Sequence, residues 1–292
     1  MSTSTADVAR PRGAPASRAP AADAADTPIP GMSEIEWRTR VDLTAAYRLV
    51  HFHGWTSQVY NHITARIPGT EALLINPFGH AYDEIHPDEL VKIDIDGNKL
   101  DDNPYPVNAA GYTIHSAIHA ARPDLQCIVH THSQNAAAIC CLEEGFMPLT
   151  QMGCMFHERI ATHEFEGIAL DVAERERLVA DLGPDNHTML LHNHGLIVSG
   201  PSIAHAITRL YHFEDCAGVQ LKALAAVAGG ATLKRPHPDS VAKTREQFES
   251  GASQGGAAVL LPEWPAYLRM LDRLDPGWRT PVGLGAVPAA SS

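Results

Sequence analysis

Short apolar runs alternate irregularly with longer segments of helical periodicity, and no other feature constrains the fold of this chain as strongly. The run CIVHTH at 127–132 is too short for a helix and predicts a buried strand. The stretch TMLLHNHGLIVSG at 188–200 predicts two strands joined by a tight glycine turn. The periodic segment 202–229 predicts a long helix that ends at Gly229-Gly230. This irregular alternation, without an internal repeat, predicts an α/β fold in three layers.

The chain divides into three predicted parts. Residues 1–30 are rich in Ala, Pro and Ser and are predicted to form a disordered tail. Residues 31–250 are predicted to form one domain, whose first helix begins at a capping box made by Ser33 and Glu36. Residues 251–292 are predicted to form a C-terminal extension in which LPEWPAYLRMLDRL gives one short helix.

Composition and charge argue against several classes of partner. The formal net charge is −12 and Lys and Arg form no cluster, which argues against nucleic acid or an anionic membrane surface as the partner. No run approaches the roughly 20 apolar residues that a membrane span requires. The 5 cysteines lack CxxC spacing and lie mostly in apolar stretches. They are expected to be reduced thiols, which favours a cytoplasmic location.

Two histidine-rich pieces stand at the ends of predicted strands. Because residues i and i+2 of a strand share a face, His130 and His132 can present two imidazoles to one ion. The piece His192-Asn193-His194 follows a second apolar run, so one of its imidazoles can close over the same ion. Three neutral imidazoles suit several divalent transition metals. The alternative is that these histidines are merely packed or exposed, and spacing alone leaves both possibilities open.

Four longer pieces carry a family resemblance. They are GWTSQVYNHITARIPG, VNAAGYTIHSAIHAARPDLQCIVHTHS, HEFEGI and LLHNHGLIVSG, in that order. Together they resemble the signature of the class II aldolase/adducin superfamily, most closely its adducin-like branch. The resemblance extends from Glu36 to Gly230, which is most of the chain.

The resemblance implies a fold, a cofactor and an assembly. The implied fold is a three-layer α/β/α arrangement with a central nine-stranded, mostly antiparallel sheet. The implied cofactor is one divalent metal ion per subunit (Fe²⁺, Zn²⁺ or Mn²⁺) on His130, His132 and His194, with His192 behind the ligands. The implied assembly is a homotetramer that binds a small-molecule substrate at sites near subunit interfaces.

Several positions depart from the sugar-phosphate aldolases that this sequence resembles. Those enzymes carry a general acid/base Glu nineteen residues before the first metal histidine, where this chain has Gly111. Their two preceding hydroxyl residues, which help bind phosphate, correspond to Ala109 and Ala110. Two further phosphate-loop pairs correspond to Tyr60-Asn61 and Phe78-Gly79. Because phosphate needs many N–H and O–H donors, these replacements predict a non-phosphorylated, apolar or aromatic substrate.

Another group must therefore transfer protons, if protons are transferred at all. The candidates are His115, Tyr60, His62, Tyr112, His157, Glu158 and His163. His115 is favoured because it lies one helical turn after Gly111 and faces the same way. The predicted site thus comprises catalytic His115 and Tyr60, substrate-binding Asn61, Phe78, Gly79, Gly111 and Tyr112, and supporting His192, His157 and Glu158.

Three functions fit these expectations. The first is a lyase that cleaves a C–C bond beside a carbonyl or carboxylate of a 2-oxo or hydroxy acid, with the metal as electron sink. The second is a non-haem iron oxygenase that decarboxylates an aromatic 2-oxo acid with dioxygen. The third is a non-catalytic, adducin-like oligomerisation module. The retained histidines argue against the third function, since a purely structural module has no physical need for them.

Overall fold

The computed structural model describes residues 28–167, 172–251 and 261–285. The predicted disordered tail lies almost wholly outside the described residues. Helices α1 to α7 span Glu34–Phe52, Ala109–Ala121, Gln134–Cys140, Val172–Leu182, Ile203–Ala228, Pro238–Glu249 and Glu263–Leu274. Strands β1 to β7 span His62–Arg66, Leu73–Ile75, Val91–Ile93, Cys127–Thr131, Ile160–His163, Thr188–Leu191 and Gly195–Gly200.

The strands form one sheet in the order β3-β2-β1-β4-β7-β6-β5. Every neighbouring pair is antiparallel except β5 with β6, which confirms the mostly antiparallel sheet. The expectation of nine strands is wrong for the described residues, which contain seven in this sheet. Beyond β3 the chain adds only an isolated bridge between Ile93 and Lys99. Between α3 and β5 it forms turns and a 3₁₀ helix at Met152–Phe156.

Helices cover both faces of the sheet, which confirms the three-layer architecture. Along β4, Cys127 and Val129 pack into a core shared with helices α1, α3 and α5. Ile128, which points to the opposite face, packs into a second core with α2 and α4. The central strand is therefore buried on both sides, as its continuous apolar sequence requires.

A helix cap stabilises the start of α1, and tertiary packing holds α7 against the domain. The hydroxyl of Ser33 accepts a hydrogen bond from the backbone N–H of Glu36 at 3.1 Å, and α1 begins at the next residue, Glu34. The predicted C-terminal helix forms as α7. Its Leu271 and the following Trp278 are buried in the core beside α1. The segment after residue 261 thus packs against the domain.

Among the helices of the described residues, none has both the length and the apolar composition that crossing a membrane demands.

Candidate metal centre

Strand β4 positions the first two histidines of the predicted triad. The Nδ1 atom of His130 lies 3.1 Å from the carbonyl oxygen of Leu196 on the paired strand β7. This hydrogen bond requires a proton on Nδ1, so the lone pair of the neutral ring is on Nε2. His130 Nε2 in turn lies 2.9 Å from His132 Nε2. The two imidazoles therefore converge, as the i, i+2 spacing predicts.

The tight turn between β6 and β7 supplies the third histidine. The N–H of His194 bonds to the carbonyl of Leu191 at 3.1 Å, and Asn193 takes a positive φ of 55° at the centre of the turn. A Cβ atom at Gly195 would lie 2.7 Å from the Thr131 carbonyl oxygen and 2.8 Å from His132 Cδ2. Glycine at this position is what lets β7 begin so close to the end of β4.

His130, His132 and His194 each offer a ring nitrogen, and these three atoms lie within 4.8 Å of one another. Burial lowers the pKa of all three imidazoles, and lowers that of His194 to about 4. At neutral pH the rings are therefore uncharged, which is the form that binds a metal ion. Three neutral imidazoles converging at a cavity fit a divalent transition metal and leave coordination positions open for a substrate.

The triad lies at one end of a cavity of about 410 Å³. The cavity is lined by Tyr60, His62, Phe78, Asn108, Ile114, His130, His132, Phe165, Gly167 and His194. Besides the metal triad, three residues named from the sequence, Tyr60, His62 and Phe78, are among them. No Lys, Arg, Asp or Glu is among these lining residues. The cavity therefore offers aromatic and aliphatic walls around the imidazoles, without a fixed charge that would favour a phosphate group.

The imidazole of His62 occupies the space beside Gly111. A Cβ atom at Gly111 would lie 1.6 Å from His62 Cδ2 and 2.1 Å from His62 Nε2, so no side chain fits at Gly111 while His62 keeps this position. The His62 ring also contacts the His130 ring, with centroids 5.0 Å apart. The absence of the family Glu at position 111 thus coincides with an imidazole that enters the cavity from the neighbouring strand β1.

His115, the favoured catalytic candidate, is fully buried behind His62 and does not line the cavity. The two rings lie 4.4 Å apart, centroid to centroid. Thr64 Oγ1 lies 2.7 Å from His115 Nδ1 and 2.8 Å from Nε2 of His119, one turn further along α2. His115 therefore contacts the His62 ring from behind and is not among the residues that line the cavity.

Four of the five predicted substrate-binding residues, namely Asn61, Gly79, Gly111 and Tyr112, are not among the residues that line the cavity. The buried amide of Asn61 donates to the Trp55 carbonyl at 2.9 Å and to Thr131 Oγ1 at 3.1 Å. The hydroxyl of Tyr112 donates to the carbonyl of Ile95. Gly79 follows Phe78 at a positive φ of 99°. The side-chain donors of Asn61 and Tyr112 are therefore already engaged by other groups of the protein.

The three predicted supporting residues gather around a different cavity. His157, Glu158 and His192 line a space of about 380 Å³. In the described part of the chain, none of the three hydrogen-bonds to the metal triad. His192 and His194 belong to one turn, but their side chains line two different cavities.

Sequence reasoning missed four residues of the cavity: Asn108, Ile114, Phe165 and Gly167. All four lie inside the motifs that carry the family resemblance, so the signal was present without a role attached to it. The sequence also favoured His115 over His62 as the proton-transfer group. The position of His62 depends on the pairing of β1 with β4, where His62 lies opposite His130. That register cannot be read from one sequence.

Comparison with known proteins agrees with this fold. The Class II Aldolase and Adducin N-terminal domain matches residues 41–221. A Pseudomonas aeruginosa protein with the provisional name of class 2 aldolase is 42% identical over 252 residues, which are 85% of this chain and 94% of that protein. The chain therefore belongs to the class II aldolase/adducin family.

The chain is also similar to two solved structures and to one longer protein. An aldolase II superfamily protein from Pseudomonas syringae is 45% identical, with a TM-score of 0.77 over 85% of this chain and 97% of that one. An L-fuculose 1-phosphate aldolase from Glaciozyma antarctica is 27% identical, with a TM-score of 0.71 over 88% and 98%. Rat alpha-adducin is 36% identical over 82% of this chain, which is only 34% of adducin.

Proposed function

We propose that this protein is a metal-dependent lyase that cleaves a C–C bond next to a carbonyl or carboxylate of a non-phosphorylated 2-oxo or hydroxy acid. The observation that carries the proposal is the convergence of three neutral imidazoles on an apolar cavity. Class II aldolases use a divalent metal, typically Zn²⁺, and a divalent ion on these imidazoles would polarise the substrate carbonyl as a Lewis acid.

The substrate class follows from the walls of the cavity. Phe78, Ile114 and Phe165 present apolar surface, and a cavity of about 410 Å³ accommodates a small aromatic or branched acid. The Glaciozyma antarctica enzyme is named for a phosphorylated sugar, but it shares only 27% of its residues with this chain. Because no Lys or Arg of the described residues lines the cavity, a dianionic phosphate would gain little from entering it.

Within this proposal, His62 contacts the substrate in place of the side chain that Gly111 lacks. His62 lines the cavity beside the triad, whereas His115 lies behind it. A hydrogen bond from the His62 ring would orient a substrate oxygen next to the triad. The hydroxyl of Tyr60, whose side chain also lines the cavity, is the second group available for such an oxygen.

The adducin relationship favours one second candidate, a non-catalytic oligomerisation module. The relatives named above give no support to the oxygenase alternative.

The proposed assembly is a homotetramer, as the family resemblance implies. Tyr60 and Phe165, which line the cavity, are 55% and 56% exposed, so a second copy of the chain could cover this opening.

The experiment that tests the proposed function measures cleavage of a panel of aromatic and aliphatic 2-oxo and hydroxy acids. The protein is first loaded with Zn²⁺, Mn²⁺ or anaerobic Fe²⁺, and the His132→Ala variant serves as the control. We expect metal-dependent release of an aldehyde or of carbon dioxide, lost in the variant. If the loaded protein binds metal and cleaves nothing on the panel, the oligomerisation module becomes the better account.

A second measurement tests the substrate class. Thermal protection by an unphosphorylated acid, without protection by a sugar phosphate of similar size, is the expected result. Protection by the sugar phosphate alone would contradict the proposed apolar substrate.

A further inference from the structure

A cavity separate from the two described above lies at the far end of β6 from the metal triad. It has a volume of about 170 Å³ and is lined by Met155, Phe156, Arg159, His187, Thr188, Arg209, Phe248 and Glu249. Most of these residues come from the 3₁₀ helix, the start of β6, and helices α5 and α6, and Arg159 directly precedes β5. Strand β6 runs from Thr188 at this cavity to Leu191 at the turn that carries His194, so the two sites are separate.

Arg209 is the unusual residue of this cavity, because its guanidinium has no carboxylate partner in the described residues. Its hydrogen bond there goes to the carbonyl of Ser199. Two other buried arginines do have carboxylate partners. Arg40 forms ion pairs with Glu36 and Asp101, and Arg122 forms a two-pronged pair with Asp124. Arg209 thus keeps a positive charge beside a cavity without a fixed counter-charge.

The lowered pKa values of Arg209 and His187 also indicate an uncompensated positive charge at this cavity. Burial lowers the pKa of Arg209 to about 10, which reflects the cost of removing a cation from water without compensation. Burial, together with the charges of Arg209 and Arg122, lowers the pKa of His187 to about 4. An anion in the cavity would relieve both effects, because it supplies the missing negative charge.

The single carboxylate in the cavity wall does not serve as this counter-charge. Glu249 pairs with Arg159, whose Nε lies 2.7 Å from Glu249 Oε1. Two guanidinium groups and one carboxylate therefore line the cavity, which leaves a net positive charge. The apolar side chains Phe156 and Phe248 close its other walls and limit the size of a ligand.

We propose that this cavity binds a small oxyanion, inorganic phosphate or a short carboxylate, through the guanidinium of Arg209. A planar guanidinium matches both anions because it can donate two parallel hydrogen bonds. Binding would join α5 and α6 to the start of β6 through one shared ligand. This proposal does not depend on the proposed lyase activity.

Isothermal titration calorimetry tests the proposal. Inorganic phosphate and acetate are titrated separately into the full chain, depleted of metal so that the histidine triad does not contribute, at constant ionic strength. We expect saturable binding of one anion per chain by at least one of the two. The better of the two anions identifies whether the source is phosphate or carboxylate.

Three variants locate the binding. Arg209→Gln is expected to weaken the Kd about tenfold or more, since a charge-assisted hydrogen bond is lost. Arg38→Gln removes the same charge from an exposed pair with Glu34 and should leave the Kd unchanged. Arg209→Lys keeps the charge, so it serves if the glutamine variant does not fold, and it should still bind more weakly than the wild type.

Two results would overturn the proposal. One is the absence of saturable binding of either anion to the wild-type chain. The other is binding to a folded Arg209 variant with the wild-type Kd, which would move the site elsewhere.

Discussion

At the residue scale, Gly111 and His62 form a pair in which the absence of one side chain makes room for the other. The ring of His62 stands where a Cβ atom of Gly111 would be, and it faces the same cavity as the metal triad. His115 and Thr64 lie behind it and limit where the ring can move. Glycine at position 111 is therefore a steric requirement of His62.

Substituting Gly111 by Ala tests this pairing. The added Cβ would lie 1.6 Å from the His62 ring, so we expect a loss of roughly 1–3 kcal/mol in the free energy of unfolding. The loss should be much smaller in a His62→Ala background, where the space is free. Gly277→Ala is the matched control, since its Cβ would meet no atom within 4 Å. An equal loss in both backgrounds would show that the two residues are not coupled.

The buried His119 gives the chain a pH dependence of known sign. Burial lowers its pKa to about 3, well below the 6.5 of an exposed histidine. Between those values the unfolded chain binds a proton that the folded chain does not, so stability present above pH 6.5 is lost as the pH falls. We expect His119 to contribute a slope of up to about 1.4 kcal/mol per pH unit.

Urea unfolding of metal-depleted protein between pH 7 and pH 5 measures this slope. The His119→Gln variant should show a shallower dependence than the wild type. A variant with the wild-type slope would mean that His119 is already protonated in the folded chain.

The positions of the site histidines could be predicted from the sequence to different extents. The pair His130 and His132 follows from the two-residue period of a strand, and that geometry is present in the structure. The proximity of His194 required the family resemblance. The position of His62 required the pairing of β1 with β4, which places His62 opposite His130. Tertiary register is what the local pattern does not contain.

At the scale of elements, the helix boundaries follow local chemistry closely. Helix α1 begins after Ser33, and α5 ends at the glycine pair that the sequence marks as a stop. The strands β2 and β3 have three residues each, and their number in the sheet depends on pairing. For this reason the elements were predictable, but the number of strands in the sheet was not, and the expected nine is wrong for the described residues.

The cap of α1 offers a test at this scale. In Ser33→Ala the N–H of Glu36 loses its side-chain acceptor, so we expect the free energy of unfolding to fall by about 1 kcal/mol. Ser250→Ala, at the exposed C-terminal end of α6, is the control and should change stability little. Chemical denaturation of both variants makes the comparison. Equal effects would mean that the Ser33 cap does not stabilise α1.

At the scale of the whole molecule, the sheet joins distant segments of the chain into one site. Strands β1, β4 and β7 are adjacent in the sheet, and they bring together His62, His130 and the turn that carries His194. The polar residues of this region face α2, whereas the opposite face of the same strands is apolar core. The predicted site therefore shares the α2 side of the sheet with the second apolar core.

The proposed assembly is tested by light scattering on the eluting protein. We expect a mass near four times the 31.5 kDa of one chain. Substituting the half-exposed Phe165 by Asp should reduce this mass if a neighbouring copy covers the cavity, because a buried carboxylate is costly. A monomeric wild-type chain would refute the tetramer and leave the cavity open to solvent.

The central claim is that His130, His132 and His194 hold one divalent ion. Elemental analysis of untagged protein, reconstituted with Zn²⁺, Mn²⁺ or anaerobic Fe²⁺ and then desalted, tests it most directly. The account predicts about one ion per chain in the wild type and in the control His237→Gln, whose histidine is exposed outside the triad. It predicts no stoichiometric ion in His132→Ala or His194→Ala. Full occupancy in either triad variant, or none in the wild type, would contradict it.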